Sequence, residues 1–206
     1  ENTLFVKYLS VPKKINNAIL AEAISLKKKF NQATLIKGFD TSFRSNLSCY
    51  YDEIYNQKRN TSVLLNEIDT LFSSNQEFKE VISSFGYPFT EFLTTNYHET
   101  QVSNYGREDE KYDYHVDRMG GFTRILTFVY YFFIEPKKFT GGEIEFTNSP
   151  IFNGIPAEKN PETLKITPEN NMAVVFDSTT PHKVHSTKSS SFNNGRFSVN
   201  TWIGFR

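Results

Sequence analysis

Cysteine is almost missing from this chain. Cys49 is the single one among 206 residues, so no internal disulfide can form and a reducing compartment, the cytoplasm, is expected. No run of about 18 apolar residues occurs, which excludes an ordinary transmembrane helix. Neither sign of charge is in excess. The 23 basic and 23 acidic residues cancel, so no overall field favours nucleic acid or a membrane surface as a partner. Internal repeats and low-complexity blocks are also lacking, and nothing points to a repeat architecture. The chain begins at Glu1 rather than Met, which leaves an upstream targeting segment open.

Aromatic residues are abundant instead: 16% of the chain, with 20 Phe and 11 Tyr, a composition that suits strands. The length supports one domain over residues 1–206 with a sizeable core. Residues 1–89 read as a helical support region with the first strands, and 90–206 as a β core. Leu4, Val6 and Tyr8 alternate as in an edge strand. After Pro12, Ile15, Ile19, Ala23 and Leu26 recur at helical spacing, with Lys27, Lys28 and Lys29 at the helix end, where cations favour the macrodipole. Residues 31–60 read as strand and loop. Within them Arg44 to Tyr55 mixes Arg, Cys and tyrosines and suits either a packed segment or a substrate entrance. Thr61 or Ser62 can cap a helix carrying Leu64, Leu65, Ile68 and Leu71. A second helix runs from about Asn75 to Phe85, stopped by Gly86 and Pro88. From Thr90 the period becomes two. Strands are expected at 90–104, 122–134, 143–146, 164–166, 172–176, 182–185 and 196–203. Between them lie a charged loop at 106–111, a Gly120-Gly121 turn, a turn at 136–142 and a Pro-rich loop at 148–162.

The segment Tyr112-Asp113-Tyr114-His115-Val116-Asp117 offers an imidazole and a carboxylate two residues apart. On a strand, residues i and i+2 share one face, so both can reach one metal ion. Two His and one carboxylate with the remaining positions open is the ligand set of non-haem Fe(II) oxygenases. The second imidazole must come from His182 or His185, which are three apart and face opposite ways on a strand. Further on, Arg196, Ser198 and Asn200 share one strand face. A buried Arg there needs an anionic partner, and its planar fork matches a carboxylate.

Taken in order, these residues resemble the 2-oxoglutarate- and Fe(II)-dependent dioxygenases, on the branch with the prolyl hydroxylases. The resemblance spans about residues 95–206. It is carried by His115-x-Asp117, then Arg124-x-x-Thr127 with Tyr130 and Tyr131, then Gly141-Gly142-Glu143, Phe176-x-Ser178, His182-x-Val184 and Arg196-x-Ser198. It implies a mainly β fold, a double-stranded β-helix (jelly-roll) with N-terminal helices packed on one sheet and the metal near one mouth. It implies that His115, Asp117 and His182 ligate Fe(II) and that Arg196 takes the distal carboxylate of 2-oxoglutarate. Tyr131, Tyr105, Thr127, Ser198 and Asn200 would line or assist that pocket, and Tyr112 and Arg124 would lie on the substrate side. The implied co-reactant is O2, with ascorbate as a further candidate cofactor.

One departure from the family pattern is the gap of 14 from His182 to Arg196, longer than usual. His185 would shorten it, but the Phe176-to-Val184 frame favours His182, with Ser189 to Gly195 as a loop insertion. His98 reads as a packed or surface histidine, and Glu143 and Glu145 as ordinary polar strand positions rather than ligands. Asp117 as a carboxylate ligand argues for hydroxylation rather than halogenation. The resemblance implies oxidation of an unactivated C–H, with succinate and CO2 as co-products. A prolyl residue of a protein or peptide is the expected substrate. A free amino acid or other small metabolite is the alternative, and a metal-binding scaffold or interaction protein the non-enzymatic one. Residues 40–60 and 106–111 are candidate substrate-gripping elements.

Overall fold

A computed structural model describes residues 4–8, 11–35, 38, 40–86, 97–118 and 124–204. In chain order these form β1 (Leu4–Tyr8), α1 (Lys13–Ser25), β2 (Asn31–Gln32), β3 (Leu47–Tyr50), α2 (Tyr51–Ile54), α3 (Val63–Ser74) and α4 (Gln76–Ser84). Then come β4 (Tyr97–Tyr105), β5 (Glu110–His115), β6 (Arg124–Phe132), β7 (Phe139–Gly141), β8 (Ile144–Thr147), β9 (Ile151–Phe152) and β10 (Ile155–Pro156). β11 (Thr163–Ile166), β12 (Met172–Asp177), β13 (His182–Ser189) and β14 (Arg196–Gly204) complete the series. A major sheet has the order β1-β12-β6-β14-β4-β3-β2. A minor sheet has the order β11-β8-β13-β5, with β7 also paired to β13. The pairings are antiparallel. Two such sheets with helices on one of them make the expected jelly-roll.

The two-residue strand period explains the layering. Phe128, Tyr130 and Phe132 of β6 pack toward the helices, with Ala173, Val175, Phe197 and Val199 from neighbouring strands. Ile19 and Ala23 of α1, Leu64, Leu65 and Ile68 of α3, and Phe78 and Ile82 of α4 cover that face. Val129, Tyr131 and Phe133 point the other way, into the space between the sheets, where they meet Val174, Phe176, Ile144 and Phe146. β6 is therefore buried on both faces, which is why it reads as an almost unbroken apolar run.

Helix ends follow their caps. The Ser62 hydroxyl accepts from the Leu65 N–H at 3.1 Å, and the Asn75 side chain accepts from the Phe78 N–H at 2.8 Å, each satisfying an otherwise orphaned donor. The three lysines after α1 form a 3-10 turn with no buried member.

Several expectations need correction. The segment 31–60 contains a helical turn, α2, because Tyr51 inserts into the core at the end of β3. The Pro-rich stretch 148–162 carries the β9–β10 hairpin, and the turn 136–142 carries β7. The charged loop ends earlier than expected, since Glu110 is buried and accepts from the backbone N–H groups of Gly106 and Arg107 at 2.6 and 2.9 Å. The insertion at 189–195 is anchored by Phe192, whose ring packs edge-on against Phe30 and Phe197. The first part of the strand expected from Thr90, Pro88, and the Gly120-Gly121 turn with Phe122 lie outside the described residues. No helix among the described residues is long and apolar enough to cross a membrane.

Candidate active site

His115 ends β5 and His182 begins β13, and the two are direct cross-strand partners in the minor sheet. That register brings together imidazoles 67 positions apart in the chain. Asp117 follows two residues after β5, and its backbone N–H donates to the Ser178 carbonyl at 3.0 Å, so it is tied to the end of β12. His115 Nε2 and His182 Nε2 each lie 3.7 Å from an Asp117 carboxylate oxygen. One donor atom from each of the three residues lies within 4.8 Å of the others.

The donor set fits a divalent metal ion. Nδ1 of His115 is 2.8 Å from the Asp113 carbonyl, and Nδ1 of His182 is 2.9 Å from the Thr180 carbonyl. A carbonyl can only accept, so Nδ1 carries the proton and each Nε2 turns its lone pair toward the common point. Burial, and then the neighbouring His182, push the His115 pKa down to about 3, which keeps the ring neutral. Burial alone would raise the Asp117 pKa, but the two histidines and the Thr127 hydroxyl outweigh it and hold the carboxyl below its ordinary value. A neutral His115 and an ionised Asp117 are the forms a metal requires.

Beyond this triad opens a cavity of about 1080 Å³ whose walls include Tyr105, Tyr112, Arg124, Tyr131, Arg196, Ser198 and Asn200. Arg196 is 1% exposed. Its Nε donates to the Gly142 carbonyl at 2.7 Å, Nη1 to the Ser198 hydroxyl at 3.2 Å and Nη2 to the Tyr131 hydroxyl at 3.4 Å. Its guanidinium also lies over the rings of Tyr105 and Tyr131, at 4.8 and 4.9 Å. No carboxylate among the described residues pairs with it. A buried cation held only by neutral groups calls for an anion in the cavity.

Tyr112 stacks on the His115 ring at 3.5 Å and 8°. Arg124 reaches Glu99 at 3.1 Å and lies over the Trp202 ring at 3.9 Å. Thr127 is placed differently from the expectation. It is fully buried behind the triad, where its hydroxyl donates to Asp117 at 2.7 Å and lies 3.0 Å from the Ser178 hydroxyl, and it forms no part of the cavity wall. His185 faces away from the cavity, and its Nε2 pairs with Glu145 at 2.9 Å.

Arg44, Tyr50 and Gln101 also line the cavity, and the sequence reading did not single out Gln101. The stretch Arg44 to Tyr55 divides by side: Arg44 and Tyr50 face the cavity, while Cys49 and Tyr51 are core. For Cys49 and Tyr50, strand alternation through β3 was the available signal. The loop 106–109 contributes nothing to the wall. The β9–β10 hairpin does, through Ile151, Asn153 and Gly154.

Comparison with known proteins bears on the same half of the chain. A curated relative, an uncharacterized PKHD-type hydroxylase of Synechocystis, is 40% identical over 83 residues, 39% of this chain and 27% of that protein. The chain thus matches about a quarter of that relative's length. A prolyl-4-hydroxylase of Pseudomonas putida superposes with TM-score 0.66 at 17% identity, over 98% of this chain and 93% of that one. A prolyl hydroxylase of Trichoplax adhaerens, in complex with a hypoxia-inducible-factor peptide fragment, superposes with TM-score 0.69 at 16% identity, over 98% and 83%. These two likenesses concern the fold. The family model described as the 2OG-Fe(II) oxygenase superfamily matches residues 100–204, a span that holds all three converging donors and the buried arginine: the chain belongs to that superfamily.

Proposed function

We propose that the protein hydroxylates an unactivated C–H bond in a reaction dependent on Fe(II), 2-oxoglutarate and O2, with a prolyl residue of a protein or peptide as the substrate. The carrying observation is one cavity that holds both the converging triad and a buried guanidinium, that of Arg196, without a counter-ion among the described residues. His115, Asp117 and His182 would hold the metal. Arg196 would take the far carboxylate of 2-oxoglutarate, with the Tyr131 and Ser198 hydroxyls orienting the fork and Tyr105 beneath it. Tyr112 and Arg124 would border the substrate. When bound, the metal with 2-oxoglutarate and O2 supplies the oxidising power, and succinate and CO2 leave.

The chain's own contribution is positional. The Nδ1 bonds aim both imidazoles, Thr127 orients Asp117, and the apolar wall of Val129, Ile144 and Val184 excludes water from the reacting region. The prolyl reading is supported by the fold shared with the two prolyl hydroxylases, one of them carrying a peptide. A cytoplasmic setting rests on the lone, buried Cys49.

Anaerobic addition of Fe(II) and 2-oxoglutarate is expected to give a weak visible charge-transfer band. Absence of the band counts against the reading. His182→Ala should abolish metal binding while His185→Ala spares it, and the reverse result would transfer the ligand role. Incubation with proline-containing peptides, followed by mass spectrometry for one added oxygen, tests the substrate.

A further inference from the structure

A second cation lines the same cavity, and the metal triad leaves it unused. Arg44 is 7% exposed. Its Nε donates to the Asn46 side chain at 3.0 Å, Nη1 to the Thr34 carbonyl at 3.1 Å and Nη2 to the Gln101 side chain at 3.0 Å. All three acceptors are neutral, and no carboxylate among the described residues pairs with this guanidinium either. Arg124 differs, for Glu99 neutralises it. A guanidinium has five N–H donors, so Arg44 keeps donors for a further acceptor. A buried charge is costly to retain unless an opposite charge meets it.

The place of Arg44 selects what that opposite charge belongs to. Its guanidinium lies over the Tyr112 ring at 4.4 Å, and the same ring stacks on His115 at 3.5 Å. Tyr112 is therefore a spacer between the cation and a metal ligand. Arg44 stands about two ring-stacking layers from the triad, whereas the Arg196 guanidinium has Tyr105 and Tyr131 as its ring partners. The 2-oxoglutarate carboxylate goes to Arg196, so Arg44 faces the other guest of the cavity.

We infer that Arg44, with Gln101 beside it, binds a carboxylate on the molecule to be oxidised. This rests on the hydroxylase reading above and narrows its substrate class to one with an acidic group close to the oxidised carbon. That carboxylate is either the α-carboxylate of an amino acid or chain end, or an acidic side chain next to the target residue in a peptide.

Two pairs of probes separate the sources: N-acetyl-L-proline against its amide, and N-acetyl-Asp-prolinamide against N-acetyl-Asn-prolinamide. Binding is measured by calorimetry, without oxygen, to protein loaded with Fe(II) and 2-oxoglutarate. In the wild type the acidic member of one pair should bind roughly ten- to hundredfold tighter than its neutral partner, and the pair that discriminates names the source. Arg44→Gln should level that pair and leave 2-oxoglutarate affinity unchanged. Gln101→Glu gives the guanidinium an internal anion. It should level the pair too, while raising the melting temperature, so a poorly folded Arg44 variant does not decide the matter. Absence of a preference in both wild-type pairs, absence of binding by all four probes, or a preference that survives both variants overturns the inference. Failure of the hydroxylase reading has a different signature, loss of 2-oxoglutarate binding by wild type and variants alike.

Discussion

Thr127 has one hydroxyl proton and directs it to Asp117. The carboxylate is thereby held in one rotamer, with its oxygens facing the two imidazoles. Thr127→Val keeps the shape and removes the donor. Metal affinity should fall roughly ten- to hundredfold, the range for losing a group that orients a ligand, and Thr127→Ser should restore most of it. Metal competition with a chromogenic chelator measures both. On the proposed reading Arg196 acts on a different guest. Arg196→Gln should weaken 2-oxoglutarate by roughly ten- to hundredfold or more, the worth of charge-assisted hydrogen bonds, and leave metal affinity near that of the wild type. Equal loss of both affinities would mean that Arg196 only maintains the fold around the site. Strand period does not place Asp117, since β5 ends at His115 and Asp117 is brought in by its backbone bond to Ser178; His115-x-Asp117 was readable as a motif. The role of Thr127 was not, because its distance to Asp117 depends on how the chain returns from β5 to β6, and residue spacing does not encode that path.

At the scale of elements, β7 ends in Gly141 and passes to β8 through Gly142, and the φ angles of the two glycines are +72° and +75°. A Cβ on Gly141 would collide with the Ser186 carbonyl oxygen of β13, and one on Gly142 would come within 2.5 Å of Arg196 Cδ and 2.8 Å of the Thr187 hydroxyl. The pair bends the chain so that the Gly142 carbonyl can accept from Arg196 Nε. Gly142→Ala combines an unfavourable backbone conformation with a clash against the Arg196 side chain. It should lower stability by about 1–3 kcal/mol and weaken 2-oxoglutarate more than metal, as read by chemical denaturation and calorimetry. In the sequence these glycines were legible only as a motif, without the reason for it. The α1, α3 and α4 helices and the long strands were legible from period and caps. Short pieces were not: α2, β7, β9 and β10 have two to four residues each, too few for a period to emerge, and they exist because a neighbouring strand or core supplies their partners. The side of Arg44 likewise depends on its isolated bridge to Tyr112, which no local pattern specifies.

At the scale of the whole molecule, the minor sheet has two working faces. One presents His115 and His182 to the cavity. The other carries Glu145, which is 8% exposed and joins four strands. It accepts from the Tyr114 hydroxyl of β5, pairs with His185 and Lys183 of β13 at 2.9 and 3.5 Å, and meets Lys165 of β11 at 3.6 Å. Burial would raise its pKa, but the Tyr114 and His185 hydrogen bonds and the Lys183 charge outweigh that and bring it down to about 2, from an ordinary 4.5. A carboxyl whose pKa is lower in the folded chain adds stability above the unfolded value and loses it as the pH falls toward the folded one. The contribution should be full above about pH 4.5 and gone near pH 2, and its size at neutral pH is about 2–3 kcal/mol. Glu145→Gln should therefore be less stable than the wild type at pH 7 by that amount, and the two should converge on acidification. Urea unfolding followed by fluorescence at several pH values from 7 to 2 measures the gap. A gap that stays constant through this window would mean that Glu145 acts through packing rather than charge. Because β5 and β13 also carry the histidines, loosening of this face on acidification should separate His115 from His182 before the helix-covered major sheet unfolds. Hydrogen exchange at pH 3 would then show the backbone of β5 and β13 opening ahead of β6 and β12, and simultaneous opening of all four would refute that order.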